Sequence, residues 1–186
     1  ILFVPFTVLF LAEFRIMEQV ILVNEKDEQT GVMEKMEAHR QALLHRAFSV
    51  FVFDSEGKLL LQQRAYSKYH SGGLWTNTCC SHPQPGEKVK DAALRRLQEE
   101  LGFTTPLTKV FDFVYRSDFD NGLTEHEFDH VFIGNYNGRI NPDPAEVAAI
   151  KYVELNDIEE DLKANPDSYT TWFRIAFPKL LHWMRE

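Results

Sequence analysis

Cysteine is scarce in this chain of 186 residues: the only two, Cys79 and Cys80, are adjacent. Neighbours along the backbone do not bridge easily, which excludes a disulfide scaffold and points to free thiols in a reducing, cytoplasmic compartment. No apolar stretch reaches the roughly 20 residues that span a bilayer, so no membrane partner is expected. Cations are also in deficit. Lys and Arg number 20 against 28 Asp and Glu, a net charge of −8, so a general electrostatic grip on nucleic acid is not expected. Any anionic ligand must be held by a local cluster. Repeats, low-complexity linkers and charge blocks are missing from Val20 onward, which argues for one domain. What is present, 44% hydrophobic and 26% charged residues, is the composition of a globular protein. A chain of this length buries about two-thirds of its unfolded surface.

Residues 1–16 carry an apolar run, ILFVPFTVLFLA, ahead of Met17. The run has no basic leader, contains Pro5 and is followed by acidic residues without a small-residue cleavage pattern. The expectation is an N-terminal extension over 1–16 that is not native to the functional chain, with 17–186 as the single domain. A signal anchor is the alternative.

Strand patterns dominate early. Val20 to Asn24 and Gly31 to Lys35 flank one polar turn, and Phe48 to Phe53 with Leu59 to Gln63 flank DSEGK, which predicts a second hairpin. Further strands are predicted at Val110 to Arg116, Phe128 to Tyr136 and Ile150 to Leu155. Ala92, Ala93, Leu94, Leu97 and Leu101 recur at helical spacing and stop at Gly102, which predicts a helix over Asp91 to Leu101. Asp157 to Lys163 and Thr170 to Arg185 also read as helices, the second bent or divided at Pro178. The fold class is α+β, mixed sheet flanked by helices.

The unusual chemistry begins at TNTCCSHPQPGE, Thr76 to Glu87. In an extended segment Cys80 and His82 project from the same face and reach one pocket. Glu125 and Glu127 form a second pair of this kind in TEHEFDH, with His126 opposite. With His39 and His45, these residues offer three imidazoles and two carboxylates, a donor set that suits Zn²⁺ or Mn²⁺. The same residues read equally well as solvent-facing polar groups near strand ends. Asp129, two beyond Glu127, is either a partner of a metal-bound histidine or a solvated carboxylate. His70, His130 and His182 are assigned no role.

Around the predicted helix the pattern Glu87, seven residues, Arg95-Arg96-Leu97-x-Glu99-Glu100-x-Gly102-Phe103 resembles the Nudix box, Gly-x5-Glu-x7-Arg-Glu-U-x-Glu-Glu-x-Gly-U, with U a bulky aliphatic residue. Two positions depart from it: Ser81 replaces the opening glycine, and Arg96 replaces a glutamate that helps to bind magnesium in Nudix hydrolases. A cation there opposes the hydrolytic site.

The chain is more similar to the type I isopentenyl-diphosphate isomerases, a branch of the Nudix fold, over about Val20 to Trp172. The similarity is carried by EAHRQALLHRAFSVFVF, LLLQQRAYSKYHSGGLWTNTCCSHP, GEKVKDAALRRLQEELG, FVYRS and EHEFDHVF, in family order. The resemblance implies a Nudix-type fold and a metal held by His39, His45, His82, Glu125 and Glu127. It implies Glu127 and Tyr115 for protonation and Cys80 for deprotonation of an alkene, with the direction of transfer left open. It further implies Trp172 in the alkyl pocket, and Lys35, Arg64, Lys68 and Arg96 on a diphosphate, with Glu100 bridging to Mg²⁺. The implied partner is a small isoprenoid diphosphate, and the implied assembly a monomer or weak homodimer. A Nudix hydrolase would have no use for Cys80, and a non-catalytic binding module would hold diphosphate without turnover.

Overall fold

The computed structural model describes residues 18–186, so the expectation for residues 1–16 lies outside the described part. Nine strands and four helices follow in the order β1 (Gln19–Val23), β2 (Gln29–Glu34), α1 (Lys35–Arg40), β3 (His45–Phe53), β4 (Leu59–Arg64), β5 (Trp75–Thr76), β6 (Cys79–Ser81), α2 (Val89–Leu101), β7 (Thr108–Asp118), β8 (Thr124–Asn135), β9 (Val147–Val153), α3 (Leu155–Ala164) and α4 (Thr171–Arg185). The mixed sheet has β3 at its centre. One edge of β3 runs parallel to β8 over nine residue pairs, from His45 opposite Glu127 to Phe53 opposite Asn135. Its other edge is antiparallel to β6, with Cys80 opposite Ser49.

The predicted hairpin from β3 to β4 is therefore a hairpin only at its base. Phe53 pairs with Leu59, after which the strands part, because β6 and β8 take the hydrogen bonds of β3 and β9 takes those of β4. The DSEGK turn forms as read; the long-range partners win the ladder.

Alternation along the strands divides the core into two layers. Phe48, Val50 and Val52 of β3 and Phe132 of β8 face α2, where Ala92, Ala93, Leu97 and Leu101 form its buried stripe. Phe51, Phe53 and Val131 face α4, against Trp172, Phe173, Phe177 and Leu180. Helix α2 stops because Gly102 turns into the left-handed region at φ 75° and its N–H donates to the Gln98 carbonyl. A side chain there would also strike the Asn141 carbonyl at 2.9 Å. Helix α4 runs unbroken through Pro178, so of the expected bend or division the division does not occur. Phe173 and Phe177 before the proline and Leu180 and Leu181 after it are all buried, and tertiary packing of that face outweighs the local backbone penalty.

Candidate active site

Three neighbouring strands place one row of side chains side by side. Glu127 on β8 lies opposite His45 on β3 and opposite Tyr115 on β7. The pleat then puts Glu125, Glu127 and Asp129 on one face of β8, as the spacing of TEHEFDH requires. His126 turns to the other face, where its Nδ1 lies 2.9 Å from the Ala42 carbonyl.

The short helix α1 delivers His39. Its first turn is fixed by Glu34, whose carboxylate accepts from the backbone N–H groups of Met36 and Glu37 at 2.9 Å each. Lys35 and His39, four apart, share a face, and His39 Nδ1 is held 2.7 Å from the Lys35 carbonyl. His45 is anchored the same way, Nδ1 to the Leu43 carbonyl at 2.8 Å. Both rings are fully buried, and neither Nε2 has a hydrogen-bond partner. This overturns the solvent-facing alternative. Buried unsatisfied nitrogens are costly, whereas outward anchoring of one ring nitrogen with the other free is how metal-binding histidines are held.

The donor atoms of His39, His45, His82 and Glu127 all lie within 4.8 Å of one another, and so do those of His39, His70 and Glu125. The His/Glu set thus fits a divalent metal. It differs from the sequence reading in one respect: Glu125 is grouped with His70, a residue that had been assigned no role. His70 is buried, with Nε2 3.3 Å from Glu125 Oε1. The clue to it lies only in its position inside the YHSGG segment; nothing in its own spacing pairs it with β8.

Electrostatics separate the two glutamates. Burial pushes both carboxyls up, and Glu127 pushes Glu125 higher still, well above the usual range. At Glu127 the hydrogen bond from His82 and the adjacent His45 ring, 3.6 Å away, outweigh burial and hold the carboxyl well below that range. His82 Nε2 donates to Glu127 Oε1 at 2.9 Å, while burial brings the His82 ring down to about 4. The Tyr115 hydroxyl joins the pair, 2.6 Å from Glu127 and 3.0 Å from Glu125. Asp129 matches neither expectation. It is buried, accepts from Ser49 Oγ at 2.7 Å, and is raised to about 8 by burial and by Glu127.

His70, His82, Tyr115, Glu125 and Glu127 line a cavity of about 280 Å³ that also takes in Cys80, Trp172 and a cluster of cations. Alternation on β6 decides which cysteine reaches it. Cys79 packs into the α2 layer, whereas Cys80 lies on the α4 side. Burial pushes the Cys80 thiol up, against the opposing Arg64 guanidinium. Arg64 lies 5.1 Å from the Trp172 ring centroid. Lys35, Lys68 and Arg96 line the same cavity. Arg96 reaches Glu100 at 2.8 Å and Glu146 at 3.4 Å, and Lys68 binds Glu146 as well. Lys35 pairs with Glu18 at 3.1 Å. The sequence reading missed Glu146, which no motif marks and which only folding brings to the cluster.

Residues 43–173 match the NUDIX domain. A Deinococcus radiodurans crystal structure, 20% identical, has the same fold, with a TM-score of 0.74 over 87% of this chain and 98% of its own. The class is therefore a Nudix-domain protein. Within it, the chain is 52% identical to isopentenyl-diphosphate Delta-isomerase 2 of Aromatoleum aromaticum, over 88% of this chain and 87% of that protein. It is 51% identical to isopentenyl-diphosphate Delta-isomerase of Burkholderia multivorans, over 89% and 97%. The chain belongs to the isopentenyl-diphosphate Delta-isomerase family.

Proposed function

We propose that this protein interconverts isopentenyl diphosphate and dimethylallyl diphosphate. The observation that carries the reading is one cavity lined by a thiol, a carboxylate–tyrosine pair and an indole, with Lys35, Arg64, Lys68 and Arg96 sharing it. Moving the double bond requires a proton added at the terminal alkene carbon and a proton removed from C2, with no net redox change. An unactivated alkene is a very weak base, so the acid must be held against it and water kept away from the tertiary cation.

Tyr115 and Glu127, joined by a hydrogen bond, deliver the first proton as a pair, the Tyr115 hydroxyl being its source, and Cys80 takes the second as its thiolate. In the reverse direction the two exchange roles. Trp172 presents its π-face to the cation, a contact worth about 2 kcal/mol when desolvated. Lys35, Arg64, Lys68 and Arg96 hold the diphosphate, and Glu100 would hold an accompanying Mg²⁺, which would neutralise diphosphate charge. Arg96, which replaces the glutamate of a hydrolytic box, thus favours binding the diphosphate over cleaving it.

His39, His45, His82, Glu125 and Glu127 would hold a divalent transition metal, Zn²⁺ or Mn²⁺ by donor type. When bound, such an ion would supply positive charge that offsets the repulsion between the two adjacent carboxylates. Glu127 is then fixed in position for proton transfer.

The test is incubation with isopentenyl diphosphate and Mg²⁺ in D₂O, followed by ¹H and ³¹P NMR. Deuterated dimethylallyl diphosphate with the diphosphate intact supports the reading. Released phosphate without isomerisation assigns the protein to the hydrolases, and binding without turnover makes it a binding module.

A further inference from the structure

We propose that His70 is a ligand of the metal centre, a fourth imidazole alongside His39, His45 and His82. The inference rests on the metal-centre reading above and extends it.

Three observations converge on this histidine. Its side chain is more than nine-tenths buried, and its Nε2 has no hydrogen-bond partner. That nitrogen lies 3.3 Å from Glu125 Oε1, and the donor atoms of His39, His70 and Glu125 lie within 4.8 Å of one another. The two groups share His39, and since two nitrogens on opposite sides of a zinc ion are about 4 Å apart, His70 must move toward His45, His82 and Glu127 for a single ion to take donors from both. The opposite ring nitrogen completes the likeness to His39 and His45. All three hold Nδ1 against an outward acceptor: the Lys35 carbonyl, the Leu43 carbonyl and, for His70, Ser71 Oγ at 3.3 Å.

The loop is built to hold the ring there. His70 stacks on Phe119 with centroids 4.7 Å apart, and its edge meets Trp172. Ser71 adopts φ 51°, a region unfavourable to any residue with a Cβ. A side chain at Gly72 would strike the Tyr66 carbonyl at 2.8 Å. Strain of this kind persists where the surroundings over-determine it, and here it turns His70 inward instead of outward with the loop. Four imidazoles and two carboxylates give six single-atom donors, the number that octahedral transition-metal coordination takes.

The experiment is a crystal structure of the full chain loaded with Zn²⁺ alone, the ion located by anomalous scattering. Zn²⁺ affinities of wild type, His70→Phe and His70→Gln are measured in parallel by chelator competition. The expected result is a His70 Nε2–Zn distance of about 2.1 Å and a loss of affinity of at least about tenfold in both variants, with apo-protein circular dichroism unchanged. A distance beyond about 3 Å, or unaltered affinity, overturns the assignment of His70 while leaving the other ligands standing. Failure of wild type to bind Zn²⁺ overturns this inference and the metal-centre reading together.

Discussion

Tyr115 Oη stands between two carboxylates, 2.6 Å from Glu127 and 3.0 Å from Glu125. The arrangement follows from strand pairing, since Tyr115 and Glu127 are direct partners across β7 and β8. The hydroxyl has one proton to give and two acceptors for it, so it links the titration of the pair. Tyr115→Phe removes that link and leaves the ring packing intact. The expected outcome is a fall in kcat of about 100-fold with little change in KM, read from NMR progress curves.

The two cysteines separate chemistry from packing. Cys80 lines the cavity, whereas Cys79 is fully buried in the α2 layer. Cys80→Ala should lose at least about 100-fold in turnover and keep its thermal midpoint. Cys79→Ala should lower the midpoint and keep turnover per folded molecule. Equal activity losses in both would contradict the assignment of Cys80.

Arg96 faces the cavity from the helix that also supplies Glu100. A charge-assisted hydrogen bond contributes about 1.5–3 kcal/mol. Arg96→Gln should therefore raise KM for isopentenyl diphosphate by roughly 10- to 100-fold, with a smaller effect on kcat. Steady-state kinetics at fixed Mg²⁺ test this.

Glu87 ties the turn at Gln84 to α2, accepting from the Gln84 N–H at 2.9 Å and from Arg95 Nε and Nη2 at 2.8 Å each. These hydrogen bonds outweigh burial and hold the Glu87 carboxyl below its ordinary 4.5. A carboxyl depressed by folding stabilises the fold above its ordinary value and loses that contribution as pH falls. Glu87→Gln should melt earlier than wild type at pH 7. The two melting curves should converge as pH is lowered below about 4.5; a constant gap would show that the ion pair is not the cause.

Leu97 is fully buried between α2 and the sheet. Leu97→Ala should cost about 2–5 kcal/mol, measured by chemical denaturation, since the cavity it leaves is walled by strands that cannot collapse into it.

Much of the site was legible because short-range periodicity governs it. The i, i+2 spacing of Glu125 and Glu127 fixed their common face, and the stripe from Ala92 to Leu101 fixed α2 down to its terminal glycine. What remained hidden depends on partners distant in sequence. Asp129 finds Ser49 eighty residues away, and β3 gives its ladder to β8 instead of to the adjacent β4. His70 and Glu146 come from loops whose inward turn is set by backbone strain and tertiary contacts. Neither leaves a period in the sequence.

The parallel ladder that sets His45 beside Glu127 continues to Phe53 beside Asn135, through Phe51 and Val131 of the α4 core. One strand therefore carries the His/Glu row at its start and a hydrophobic layer further along, under a single register. Adding or deleting one residue within Phe128 to Ile133 would turn either the cage or the core to the wrong face. The centre can be retuned by exchanging side chains, but not by changing the length of β8. Insertions that alter this protein's chemistry are thus confined to its loops, such as the one that holds His70.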